Sequence, residues 1–206
     1  SGTEATLLSI RTACAYTGKR KIAKFEGHYH GGFNEVLVSI HPELSKAGEG
    51  KRPLPYPDSV GIFEDQLENT VILPFNDLEA CEEILVAQQG DIAGVIMEPL
   101  LGGTIPATKE FAGGIREITE RLGMLMIMDE VKTGFCIGMN GAQGHYGVEP
   151  DLTALGKIIG AGMPVGMLGG KKKIMDMAAP GGSYIPGSGR KMTSKEENLY
   201  HSGTYN

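Results

Sequence analysis

Two apolar runs, each ending in a carboxylate, constrain this chain more than any other feature. Ile92 to Met97 is apolar throughout and stops at Glu98-Pro99, and Met124 to Met128 is apolar throughout and stops at Asp129-Glu130. Between them, Lys109 to Leu122 reads as a helix closed by Gly123. A strand that is apolar on both faces must be covered on both faces, and a helix between two such strands is the crossover of a parallel pair. The predicted class is α/β, a mostly parallel sheet flanked by helices. In open sheets of this kind ligands bind beyond the carboxyl ends of the strands. Glu98 and Asp129 fall at that edge. A further short strand, Leu152 to Leu155, runs into Gly156-Lys157. The pattern predicts that Glu98, Asp129 and Lys157 converge on one crevice.

The remaining segments fit around this frame. Ser1 to Thr3 form a helix entry, Ala5, Leu8, Thr12 and Ala15 share one helical face, and Gly18 is a stop. Lys21 to Glu26 alternates as a short strand, and Gly27 to Gly32 is a turn carrying His28, Tyr29 and His30. Residues 41–69, rich in proline, glycine and charge, predict a long surface excursion with little regular structure. Thr70 to Phe75 is strand-like, and Asp77 caps a helix running to Gln89. Val165 to Leu168 is a short strand, Lys172 to Ala178 is helical, and Gly181 to Ser194 reads as a mobile loop. The 206 residues suffice for one sizeable domain.

Composition removes several functions. The net charge is -6 with lysines and arginines scattered, which argues against nucleic acid as a partner. No long uninterrupted apolar run is present, so no membrane partner is expected. Cys14, Cys81 and Cys136 are too few and too far apart for a disulfide framework and fit a reducing, cytoplasmic setting. His28-Tyr29-His30 lacks a third metal ligand, so no metal site is expected, and an aromatic residue stacked on a ligand ring is the better reading. Neither Gly160 to Gly162 nor Gly187 to Gly189 matches a dinucleotide or Walker fingerprint, which disfavours a nicotinamide dehydrogenase.

Each candidate residue has a chemical and a structural reading. Lys157 lies among Leu155, Ile158 and Ile159, where burial would favour a neutral amine able to attack a carbonyl, but a lysine snorkelling from a strand end fits as well. Asp129 needs a partner at the end of a buried strand: a helix N-terminus, a lysine, or a protonated ring nitrogen. Ser1-Gly2-Thr3 before a helix suits a phosphate or simple capping.

The ordered set Ser1-Gly2-Thr3-Glu4-Ala5, Tyr29-His30-Gly31, Asp129-Glu130-Val131 with Thr133-Gly134-Phe135, Pro150-Asp151-Leu152-Thr153 running into Leu155-Gly156-Lys157, and His201-Ser202-Gly203-Thr204-Tyr205 resembles the class III aminotransferases. The resemblance is closest to their glutamate-1-semialdehyde 2,1-aminomutase branch and spans nearly the whole chain. It implies the large domain of a fold type I enzyme dependent on pyridoxal 5'-phosphate. By that resemblance Lys157 forms a Schiff base with the cofactor, Asp129 pairs with its ring nitrogen, Val131 and Tyr29 pack on its two faces, and Glu98 lies near its hydroxyl side. Gly2 and Thr3, with Ser1, would hold the phosphate, and Thr204 would reach the phosphate of a neighbouring subunit in a homodimer. The substrates implied are an amino acid or amine and a keto acid or aldehyde; the alternatives are the intramolecular aminomutase reaction giving 5-aminolevulinate, and an inactive fragment. Residues 1–206 would be one cofactor-binding domain truncated at both ends. Three departures stand out: Gly103 in place of an asparagine, Gly32 to Leu54 in place of a serine- and glycine-rich gating segment, and Cys136 in place of an arginine.

Overall fold

The structure, a computed structural model, describes residues 1–177 and Leu199. The chain opens with α1 (Gly2–Thr17) and β1 (Lys21–Phe25), then makes its excursion, which holds only the two-residue strands β2 (Gly48–Glu49) and β3 (Arg52–Pro53) and one turn of helix, α2 (Glu64–Leu67). Then follow β4 (Thr70–Leu73), α3 (Leu78–Ala87), β5 (Ile92–Met97), the small ribbon β6 (Leu100–Leu101) with β7 (Ile105–Pro106), α4 (Lys109–Arg121) and β8 (Leu125–Asp129). The last elements are α5 (Gly141–Tyr146), β9 (Leu152–Gly156), a 3-10 turn over Lys157–Gly160, β10 (Gly166–Gly170) and α6 (Lys172–Met175). The expected loop at Gly181 to Ser194 and the site residue Thr204 lie outside the described residues.

Six strands form the main sheet in the order β10-β9-β8-β5-β1-β4. All neighbours are parallel except β10, which runs antiparallel to β9. Both faces are covered. Phe25, Leu73, Leu85, Phe111, Ile115 and Met126 pack on the side of α3 and α4. Ile10, Ala13, Ile22, Ile96, Ile127 and Leu152 pack on the side of α1 and α6. From Val95 to Met97 the split follows the pleat, Val95 and Met97 entering one core and Ile96 the other; Ala93 joins the Ile96 side because the pairing with β1 slips one place between Ile92 and Gly94. Every residue of β5 and of β8 is buried, which is the burial their composition predicted.

Helix starts are chemically specified. Asp77 accepts the Ala80 N–H at 3.1 Å and Thr108 accepts the Phe111 N–H at 3.1 Å, so a side-chain oxygen replaces the acceptor that a first-turn amide lacks. Asp58 holds the excursion by accepting the Ile40 and His41 N–H groups at 2.6 and 2.8 Å.

The alternation expected over Lys21 to Glu26 is absent. β1 is buried at its last four residues, and Lys24 is 0% exposed. Its ammonium donates to the Val36 carbonyl at 3.3 Å and to the Val38 carbonyl, which ties the segment after the histidine turn to the sheet. Burial pushes this amine down to about 7, against the pull of Asp58, Glu98 and Glu26. Among the described residues, no helix is long and apolar enough to cross a membrane.

Candidate active site

The carboxyl ends of the parallel strands open onto a cleft of about 390 Å³. β8 delivers Asp129, β5 delivers Glu98 just past its last residue, and β9 delivers Lys157 just past its last residue. Ser1, Gly2 and Thr3 line it from the first turn of α1, Tyr29 and His30 from the turn after β1, and Val131 and Lys132 from the turn after β8. The predicted convergence of Glu98, Asp129 and Lys157 is present in one cleft.

Asp129 is 4% exposed and makes two contacts. Oδ2 lies 2.7 Å from Nδ1 of the buried His30, and Oδ1 accepts the Val131 N–H at 3.0 Å. An ionised carboxylate only accepts, so Nδ1–H of His30 is the donor. Nε2 of His30 is buried without a partner among the described residues. With about four lone-pair sites on its two oxygens, Asp129 keeps capacity for one more donor from the cleft.

Glu98 is 3% exposed and joins three strand ends. Oε1 takes the Lys132 ammonium at 2.6 Å, and Oε2 accepts the Tyr29 N–H at 2.9 Å. Its own N–H donates to Nδ1 of His28 at 3.0 Å. His28 therefore carries its proton on Nε2, and burial, with the charges of His30, Lys24 and Lys132, pushes its pKa well below the ordinary value. The ring sits edge-on to Phe75, 4.6 Å between centroids.

At the other end of the cleft, α1 presents its first turn. The first backbone bond of the helix runs from the Ala5 N–H to the Ser1 carbonyl, so the Gly2 and Thr3 amides head the helix, where partial positive charge gathers. That end suits an anion. Gly2 is required by close approach: a Cβ there would stand 2.7 Å from Cγ1 of Val131. Gly156 closes the same contact, since a Cβ there would lie 3.2 Å from both the Gly2 Cα and Cγ1 of Val131. The helix start and the strand end before Lys157 therefore both close on the Val131 side chain of the turn after Asp129.

The apolar, desolvated setting expected for Lys157 is not found. Lys157 is exposed, and so are its neighbours Ile158 (50%), Met163 (69%) and Val165 (39%). Its backbone has φ 51°, a left-handed conformation that costs a non-glycine residue on the order of 1–2 kcal/mol. The apolar residues flank the lysine on an open face instead of enclosing it. Glu130, next to Asp129, points elsewhere. It accepts from the Thr133 hydroxyl at 3.0 Å, from the Ala142 and Gln143 N–H groups at 2.7 and 3.0 Å, and from the Gln143 amide at 3.1 Å, and so caps α5.

His30 and Lys132 were not assigned from sequence. Tyr29-His30-Gly31 marked the turn, but which of its rings meets Asp129 depends on a contact across 99 positions. Lys132 stands three residues after Asp129, between the two halves of that motif, and carried no signal of its own.

A buried parallel sheet, a helix start whose free amides suit an anion, and a lysine and an aspartate at neighbouring strand ends define a class, the fold type I transferases. The family model described as Aminotransferase class-III matches residues 1–206, and the chain belongs to that family. It is 48% identical to glutamate-1-semialdehyde 2,1-aminomutase 2 of Staphylococcus haemolyticus, over 97% of this chain and 47% of that protein. Among solved structures, an omega-transaminase from Sphaerobacter thermophilus superposes with a TM-score of 0.85 at 37% identity, over 100% of this chain and 44% of that one. A glutamate-1-semialdehyde-aminomutase from Pseudomonas aeruginosa in complex with PMP superposes with a TM-score of 0.71 at 30% identity, over 85% of this chain and 37% of that one. The chain spans about half the length of the curated relatives it matches.

Proposed function

We propose that residues 1–206 are the cofactor-binding large domain of an aminotransferase that moves an amino group between an amino acid or amine and a keto acid or aldehyde with pyridoxal 5'-phosphate. The observation that carries the reading is the cleft's three chemically distinct stations: helix start, buried aspartate, lysine. The residues fit the group. The Ser1, Gly2 and Thr3 end suits its phosphate, and the acceptor capacity left on Asp129 suits its ring nitrogen. Val131, packed on Gly2, and Tyr29 supply an aliphatic and an aromatic wall. Glu98 is held at the neighbouring strand end.

Bound there, the cofactor supplies an aldehyde that condenses with amines and a ring that withdraws electrons. Asp129 holds the proton on the ring nitrogen, and His30 fixes the direction of the Asp129 carboxylate. Nζ of Lys157 provides the amine that retains the cofactor and carries a proton to and from the substrate carbon. The left-handed backbone at Lys157 aims that side chain from the strand end, which is where strain at a functional residue is expected. The open apolar residues around it, Ile158, Met163 and Val165, support a homodimer in which a second copy covers this face and Thr204 reaches across. The free state of Cys14, Cys81 and Cys136 supports a reducing compartment, the cytoplasm.

Incubation with pyridoxal 5'-phosphate, borohydride reduction and peptide mass analysis tests the assignment. One adduct is expected, on Lys157, and none in Lys157→Ala. An adduct elsewhere, or none in the wild type, would sink it. The intramolecular aminomutase reaction is the second reading, favoured by the 48% identity to the staphylococcal aminomutase. Release of 5-aminolevulinate from the semialdehyde without an added amino acceptor selects it, and keto-acid-dependent turnover selects the transferase. No turnover of either kind leaves the reading of an inactive fragment.

A further inference from the structure

Lys132 lines the cleft, and the reaction above does not use it. Its ammonium is 2.6 Å from Oε1 of Glu98, with the lysine side chain 32% exposed and the glutamate 4%. A buried carboxylate is costly unless a cation or several donors hold it. Glu98 in turn binds the turn after β1 at two points, through the Tyr29 N–H and through Nδ1 of His28. The three participants stand at the ends of β8, β5 and β1, which are consecutive in the sheet. Together they form a strut across three strand ends, with Lys132 at its outer end and the Tyr29 wall of the cleft at the other. Tyr29 is 46% exposed, and the Glu98 carboxylate holds its backbone amide from below.

We propose that Lys132 is a positioning residue: by orienting the Glu98 carboxylate it sets the Tyr29 wall of the cleft. The inference rests on the reading of the cleft as the cofactor site. Its chemistry is confined to this chain. Lys132 donates one N–H to Oε1, which turns Oε2 toward the Tyr29 amide. Without the cation, the carboxylate loses the contact that fixes its rotamer, and the Tyr29 amide loses a fixed acceptor.

The test has a cofactor-free arm and a cofactor arm. In the cofactor-free protein, hydrogen exchange of the Tyr29 amide, followed by NMR, is expected to speed up about tenfold in Lys132→Met and to return to the wild-type rate in Lys132→Arg. In the second arm, the dissociation constant for pyridoxal 5'-phosphate is expected to rise about tenfold in Lys132→Met, and less than about twofold when the same change is made in a Glu98→Gln background. Lys132→Gln replaces Lys132→Met if the latter does not fold. Unchanged Tyr29 exchange in Lys132→Met overturns the proposal. So does an equal loss of cofactor affinity in both backgrounds, which would mean that Lys132 meets the ligand directly. If the wild type binds no cofactor, the functional reading fails, and the exchange rates still decide the strut.

Discussion

Asp129 and Asp151 are buried to the same degree, 4% and 5% exposed, yet they stand at opposite ends of the sheet and are held by different partners. Asp151 sits ahead of β9. Its Oδ2 takes Nη1 of Arg116 at 2.7 Å and the Met126 N–H at 2.8 Å, and its Oδ1 takes Nζ of Lys171 at 2.8 Å. Those partners come from α4, β8 and the turn after β10, so one carboxylate fastens three elements. Burial raises the Asp151 pKa, but the bonds from Lys171, Met126 and Arg116 outweigh it and hold the carboxyl below its ordinary value. Asp129 has a histidine and one backbone amide, and it faces an open cleft. Equal burial thus hides unequal partnering: two cations and an amide saturate Asp151, while Asp129 keeps acceptor capacity toward the cleft.

The comparison can be broken by substitution. Asp129→Asn is expected to lower kcat about a thousandfold at a stability cost of about 1–3 kcal/mol, since the amide keeps the shape and one of the two acceptors but loses the charge that a protonated ring needs. Calorimetry and steady-state kinetics on one preparation check it; a large loss of stability with normal turnover would put Asp129 in the same role as Asp151. Asp151→Ala is expected to do the reverse. It strips one partner from a buried network and should cost on the order of 3–5 kcal/mol in denaturant unfolding, with cofactor affinity within about twofold of the wild type. A loss of affinity larger than the loss of stability would show that the two ends are coupled.

A smaller effect sharpens the contrast through pH. Lys24 has a folded value of about 7 against an ordinary 10.5. Between those values the unfolded chain binds a proton that the folded chain does not, so the term raises stability as pH rises, by about 1.4 kcal/mol per unit at most. Lys24→Met should remove that slope between pH 7 and 10. Asp151 acts with the opposite limb: its depressed value contributes stability above the ordinary 3.8, lost as pH falls below it. Urea titrations at several pH values separate the two terms.

The sheet was legible in the sequence because β5 and β8 are apolar at every position, a pattern that only two-sided burial explains. Glu98, Asp129 and Lys157 were legible for the same reason: each follows an apolar run. β1 was misread because its charge at Lys24 simulates a solvent-facing position. The lysine is buried instead, with two backbone carbonyls as acceptors, and no local pattern announces a long-range acceptor. The setting of Lys157 was misread because apolar neighbours in sequence do not enclose a residue unless the backbone turns them inward. The short α5 has little propensity signal, and its start depends on the Glu130 carboxylate from eleven or more residues upstream. His30 and Lys132 came from tertiary contacts alone.

The adjacent carboxylates Asp129 and Glu130 carry one last implication. One faces the cleft and the other caps α5 because successive residues leave a strand on opposite sides. A slip of β8 by a single position would exchange their destinations, leaving a glutamate where the cleft is fitted to an aspartate and turning the layers of methionine and isoleucine inside out. Misalignment would thus be penalised twice, by the packing beneath and by the polar tips above. A misaligned chain would forfeit its chemistry and its solubility together, so the alignment of this one strand acts as a checkpoint on whether a folded molecule can also work.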